Sequence, residues 1–280
     1  MSSMLKLLSL LTLLNSTLFA ISDAQMVEFV QAQLKKNPSV LLNEVKVRES
    51  FPLEDDKSWR VFIVDMKGQV KQQTGARDFE SQDILFANNK LIAPELLDAK
   101  TGQSIKNAIS PLIKEEFYRK ANLIMGNPDA KHKLVLFSDP LCPFCTRLVP
   151  GLIDEIRKHP KTYALYYYHF PLLQIHPASK TVVKAMSAAI AKGKKDVVYL
   201  TYKAQFDAAE TNEKKVLTQF NKALDMELTM AEINDAAILA HIEEDKKVAS
   251  QMLINSTPTL FLDGKKDPTR EAYKSVKRID

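Results

Sequence analysis

The chain runs to 280 residues with only two cysteines, Cys142 and Cys145. So few cysteines exclude a disulfide-stapled mini-scaffold, and a chain this long can build a core without staples. With no second cysteine pair, a four-cysteine zinc site is also excluded. The five histidines (132, 159, 169, 176 and 241) contain no His-x3–5-His pair that would complete a site of two cysteines and two histidines. No metal site is expected. Basic residues outnumber acidic ones by 39 to 34, for a net charge of +5, but they are scattered along the chain. No Lys/Arg block interleaved with aromatics appears, so no nucleic-acid partner is expected, and mild basicity is read as a solubility feature. Beyond the first residues no run is apolar enough to cross a bilayer. Internal repeats and low-complexity segments are absent too.

The start of the chain is different. Lys6 precedes an apolar run from Leu7 to Ala20, which Ser9, Thr12 and Asn15-Ser16-Thr17 interrupt. Small residues follow, with cut sites after Ser22 or Ala24. Residues 1–24 therefore read as a secretory signal rather than an anchor, which would need roughly 18 uninterrupted apolar residues. Export to the periplasm is the expected localisation, and it places both thiols where disulfides persist.

After the signal, Met26, Phe29, Val30 and Leu34 recur at helical spacing until Asn37-Pro38. Three β-rich segments follow ("NEVKVRES", "WRVFIVDM" and "DILFANNKLIA"), punctuated by Lys67-Gly68 and Asn88-Asn89. "LLDAKTGQSI" reads as a strand ending at Gly102. Residues 25–107 thus form a small α+β domain. Residues 108–126 are expected to be a linker helix, with Leu112, Phe117, Ala121 and Ile124 at compatible positions. From 127 to 280 the order becomes strand, helix, strand, a helical insertion over about 172–252, a hairpin turning at Asp263-Gly264, and a last helix. That last helix would be capped by Asp267, with Pro268 at its first position.

Both thiols lie in "FSDPLCPFCTRLVP". If a helix starts at Cys142, Pro143 takes its first position and Cys145 lies one turn on, close enough for a disulfide. Cys142 then meets unpaired backbone N–H groups and the positive end of the helix dipole, which favour its thiolate. Cys145 sits deeper. Cys142 is therefore assigned as the attacking sulfur and Cys145 as the resolving one. A purely structural disulfide would close a very short loop, where the gain in stability is least. The Cys142–Cys145 pair is itself the redox group, and no separate cofactor is expected. Thr257-Pro258, just before a late strand, is compatible with a cis bond that exposes backbone and the Thr257 side chain to another element. Asp139 admits two readings, a proton relay for the buried thiol or a turn residue before proline; the second is preferred. His169 and His176 carry no catalytic signal.

A β-strand, Cys-x-x-Cys at the next helix start and a later Thr-Pro resemble the thioredoxin fold. More narrowly, "FSDPLCPFC" and "STPTLFLDGK" are similar to the active-site and proline segments of the periplasmic disulfide isomerases of the DsbC/DsbG group. Pro150 resembles the proline that kinks the active-site helix of thioredoxins. The resemblance implies an α/β thioredoxin fold with a helical insertion, preceded by an α+β dimerisation domain. It implies that Cys142 carries a mixed disulfide, that Cys145 releases it, and that Thr257 and Pro258 line the substrate cleft. Its implied partners are misfolded or cysteine-containing exported proteins, a membrane redox protein that resets the thiols, and a second copy of the chain.

Phe144 supplies no cation between the cysteines, whereas Pro143 is shared with strong oxidases of Cys-Pro-His-Cys type. The expected potential lies between roughly −270 mV for thioredoxin and roughly −120 mV for DsbA. The pair Pro143 and Phe144 leans to isomerase or reductase. An oxidase and a dimeric holdase chaperone are the alternatives.

Overall fold

The computed structural model describes residues 21–72 and 75–279. Most of the expected secretory signal, residues 1–20, lies outside the described residues. Two compact units divide between Lys106 and Asn107.

The first unit opens with α1 (Asp23–Leu34), started by a capping box in which Ser22 and Gln25 each bond the other's backbone N–H. Met26 and Val30, one turn apart on α1, are buried with Val45, Phe62, Val64, Leu85 and Ala87. Those partners belong to an antiparallel sheet ordered β1 (Val40–Pro52), β2 (Arg60–Gln72), β3 (Gly75–Ala87) and β4 (Ile92–Ala93). Gly68, read as punctuation, instead lies inside β2. A Cβ there would run into the Leu41 carbonyl and the Phe79 ring, so the glycine permits close strand approach beside a register shift at Leu42/Glu44. The strand expected at "LLDAKTGQSI" reduces to one bridge, Leu97 to Ser104. The Asp98 carboxylate accepts from the backbone N–H groups of Lys100 and Thr101 and holds a turn instead.

The second unit is a thioredoxin-fold α/β domain. Its sheet is ordered β5 (Leu123–Gly126), β7 (Tyr163–His169), β6 (His132–Ser138), β8 (Thr259–Leu262) and β9 (Lys265–Asp267). Only β6 and β7 run parallel, joined through α2 (Pro143–Lys158). Central β6 is buried on both faces. Leu134 and Leu136 join the cluster formed with α2, while Val135 and Phe137 point to the opposite cluster with Tyr168 and Phe261. The helical insertion comprises α3 (Ser179–Ala191), α4 (Val197–Lys203), α5 (Glu213–Leu224), α6 (Met230–Ile233) and α7 (Ala236–Gln251).

Two expected helices do not form. Over 108–126 the chain makes short 3-10 turns and then β5. Leu112 of the expected helical stripe is exposed, while Ile113 and Phe117 are buried, and the Ile113 N–H donates to the Gly264 carbonyl at 2.8 Å. Pairing with the domain's own edges outcompetes a local helix of modest propensity. At the C-terminus, the Asp267 carboxylate does accept from backbone N–H groups of Thr269 and Ala272. Arg270, however, takes a left-handed φ of 59°, so only a 3-10 turn follows at Ala272–Ser275.

Candidate active site

β6 delivers Ser138 and Asp139 to the start of α2, where Cys142 is the N-cap and Pro143 takes the first helical position. Antiparallel pairing of β6 with β8 sets Phe137 opposite Thr259, which brings the preceding Thr257-Pro258 alongside the cysteines. That peptide bond is cis. Cys142 Sγ lies 3.6 Å from the Thr257 carbonyl oxygen. The fold therefore brings together Cys142, Cys145 and Thr257-Pro258. Both cysteines are free thiols, Cys142 4% exposed and Cys145 fully enclosed. Phe144 turns outward, 64% exposed, with the Arg147 guanidinium 4.8 Å above its ring.

The two sulfurs are perturbed in opposite directions. A hydrogen bond from the Cys145 thiol pulls Cys142 down to about 5; burial opposes this, and the Thr257 hydroxyl and the N–H groups of Cys145 and Phe144 assist. Those last two donors are the unpaired amides of the first helical turn. Burial pushes the Cys145 thiol far up, and the neighbouring Cys142 thiolate adds to it. Ser138 and Thr257 hydroxyls and the Asp139 N–H act against that rise. Thr257 Oγ1 makes no well-formed hydrogen bond, so its influence on either sulfur is one of proximity.

Asp139 is fully buried, but its carboxylate is a tie rather than a relay. Oδ1 accepts from the Leu141 N–H at 2.8 Å and Ser179 Oγ at 2.6 Å; Oδ2 accepts from the Leu172 N–H at 2.8 Å and stands 3.0 Å from His176 Nδ1. None of these partners is a thiol. The turn reading accounts for the Leu141 bond alone. The other bonds anchor the loop after β7 and the start of α3 to the active-site turn.

Sequence reasoning missed a line of hydroxyls behind Cys145. Tyr202 OH donates to Ser138 Oγ at 2.7 Å, and Tyr167 OH lies 2.7 Å from Tyr202 OH. Since Tyr202 has spent its only proton on Ser138, Tyr167 is the donor in that pair, and the Ser138 proton is left to face the Cys145 sulfur. Burial holds both phenols well above their ordinary range, so the line stays protonated. Ser138 lies four residues before Cys142, in the same short segment as both thiols, so its hydroxyl carried a signal in the sequence. Tyr202, on a helix of the insertion, carries no local signal.

Residues 119–279 match a family model described as thioredoxin. Over 148 residues the chain is 33% identical to the Na(+)/H(+) antiporter NhaA 1 of Mycobacterium sp. (strain KMS), covering 51% of this chain but 24% of that protein. The chain thus spans only a minor part of the curated relatives it matches. Among solved structures, oxidised BdbD from Bacillus subtilis is similar at 17% identity and a TM-score of 0.49, over 60% of this chain and 92% of that one. A putative protein-disulfide isomerase from Pseudomonas syringae gives 16% identity and a TM-score of 0.46, over 54% and 91%. The catalytic domain of Proteus mirabilis ScsC gives 20% and 0.43, over 54% and 83%. The family match takes in more than half of the sequence, with Cys142, Cys145, Thr257 and Pro258 all inside it, and the chain belongs to the thioredoxin family.

Proposed function

We propose that the chain is a thiol-disulfide oxidoreductase of exported proteins, working as a disulfide isomerase or reductase in the manner of the DsbC/DsbG group. One observation carries the reading: two sulfurs at one helix start, the outer a thiolate near neutral pH and the inner held as a thiol. Cys142 S− attacks one sulfur of a substrate disulfide, forming a mixed disulfide and expelling the other substrate sulfur as a thiolate. For isomerisation, a second substrate thiolate then attacks its own half of the mixed disulfide and returns Cys142 as a thiolate, with no net electron transfer. For reduction, Cys145 gives up its proton and attacks Cys142, leaving a Cys142–Cys145 disulfide and a substrate dithiol. Two electrons pass to the substrate, and a membrane dithiol partner restores them. Thr257-Pro258 is the edge against which the substrate strand lies. Exposed Phe144 and Ile175, the latter in the loop tied to Asp139, supply an apolar rim suited to unfolded chains. Secretion by residues 1–24, periplasmic location and dimerisation through the first unit complete the proposal.

A Cys142 thiol near 5 falls between about 7 for thioredoxin and about 3.5 for DsbA. This supports the intermediate potential expected from Phe144. It also favours a second reading, since a stabilised thiolate stabilises the reduced form and makes the disulfide more oxidising. The test is refolding of ribonuclease by the full chain. Reactivation of scrambled ribonuclease, lost in Cys142→Ala, is the expected result. Rapid oxidation of reduced ribonuclease without reactivation of the scrambled form would put the oxidase in its place. Suppressed aggregation with no exchange in either assay would leave a holdase.

A further inference from the structure

His169 ends β7, and His241 and Asp245 stand one turn apart on α7. Each of the three offers a donor atom within 4.8 Å of the other two. Asp245 is fully buried and His169 is 1% exposed. Their other bonds leave donors to spare. Ser187 Oγ lies 3.0 Å from His169 Nε2, and His169 Nδ1 is buried with no partner at all. Asp245 Oδ1 accepts from Asn122 Nδ2 at 2.8 Å and Arg119 Nη2 at 3.3 Å. Oδ2 accepts only the His169 backbone N–H at 3.0 Å, with His241 Nε2 at 3.7 Å. The amide oxygen of Asn122 is a second buried acceptor without a donor. Buried polar atoms without a partner are rare in folded proteins, and two of them, His169 Nδ1 and Asn122 Oδ1, occur around one buried carboxylate.

We propose that His169 Nδ1, His241 and Asp245 Oδ2 form a binding site for a divalent transition metal of the zinc class. Two imidazoles and a carboxylate are a donor set suited to Zn2+. Ser187 Oγ, 3.0 Å from the far ring nitrogen, is able to accept from Nε2–H, the tautomer that leaves Nδ1 with its lone pair for the metal. Tetrahedral Zn2+ with bonds of about 2.0–2.1 Å sets its donors about 3.4 Å apart, so the half-buried His241 side chain closes inward on binding. A surface groove of ≈ 530 Å³ has His241 and Ser187 among its walls, along with Lys120 and Lys195, so the cluster is reached from solvent at its His241 side. Arg119 beside Oδ1 opposes the cation, and Glu244, 3.4 Å from its other amino group, offsets part of that charge. His169 and His241 lie far apart in sequence, so histidine spacing along the chain concealed a pair that the fold brings together.

The test titrates Zn2+ alone into the full chain with the Cys142–Cys145 disulfide closed, so that the thiolates take no metal. Competition with a chromophoric chelator should show one equivalent bound per chain, and Co2+ in its place should give a tetrahedral spectrum without a thiolate charge-transfer band. Zn2+ should also raise the thermal midpoint. His241→Ala removes a partly exposed helix side chain, so the variant folds, and it should weaken binding at least tenfold; His159→Ala should bind as wild type does. Failure of the oxidised chain to take up one equivalent, or equal affinity in wild type and His241→Ala, overturns the site.

Discussion

The two units bury different kinds of side chain. In the first, the core around α1 and its sheet is apolar throughout, from Met26 and Val30 to Phe62 and Leu85. Every buried polar or charged residue among the described residues lies between Asn122 and Asp267, in the second unit. A buried polar group is tolerated only where donors and acceptors are matched, so each one constrains its neighbours. The second unit carries that burden at Asp139, at the Ser138–Tyr202–Tyr167 line and at Asp245. The first unit has the economy of a scaffold. Chemistry has collected where the fold accepts costly burial.

Substitutions can break this contrast. The largest effect should come at the thiols: Cys142→Ala should drop exchange to the uncatalysed rate, and Cys145→Ser should accumulate the mixed disulfide, visible as a substrate adduct on non-reducing gels. Loss of activity in Cys145→Ser without an adduct would reverse the assignment of the two sulfurs. Next, Phe62→Ala in the first unit should cost about 3–5 kcal/mol of stability by denaturant titration, because it empties a closed apolar site. It should leave the reactivity of Cys142 unchanged, and a shift in that reactivity would show the scaffold to be part of the site. Smaller still, Tyr202→Phe removes the donor to Ser138, at about 1–3 kcal/mol for the hydroxyl left short of a partner. Stopped-flow traces should show a slower resolving step by Cys145 with an unaltered first attack by Cys142.

How much of this the sequence disclosed follows the same division. The thioredoxin-fold strands β6, β7 and β8, helix α2 and the helical insertion were legible because each is periodic, long or bounded by turn residues. Cys142, Cys145 and Thr257-Pro258 stood out by chemistry. What was hidden depends on long-range partners. Ile113 gave up a helix to reach Gly264, and Arg270 turned left-handed where a helix was expected. Asp139 read as a turn residue because Leu172, His176 and Ser179, which share its carboxylate, lie far along the chain. Tyr202 and the His169–His241–Asp245 cluster were beyond reach for the same reason.

The central claim is that the start of α2 splits two neighbouring thiols into a nucleophile and a reserve. Cys142 is depressed from 9.0 to about 5. Its thiolate therefore stabilises the reduced fold fully above about pH 9, progressively less below that, and not at all once the pH has fallen through about 5. The direct measurement is the rate of iodoacetamide alkylation of the reduced chain against pH, with the labelled peptide identified by mass spectrometry. A single labelled site is expected, Cys142, with a midpoint near 5 and Cys145 unreacted at neutral pH. A midpoint near that of a free thiol, about 8.5, or label on Cys145 first, would contradict it.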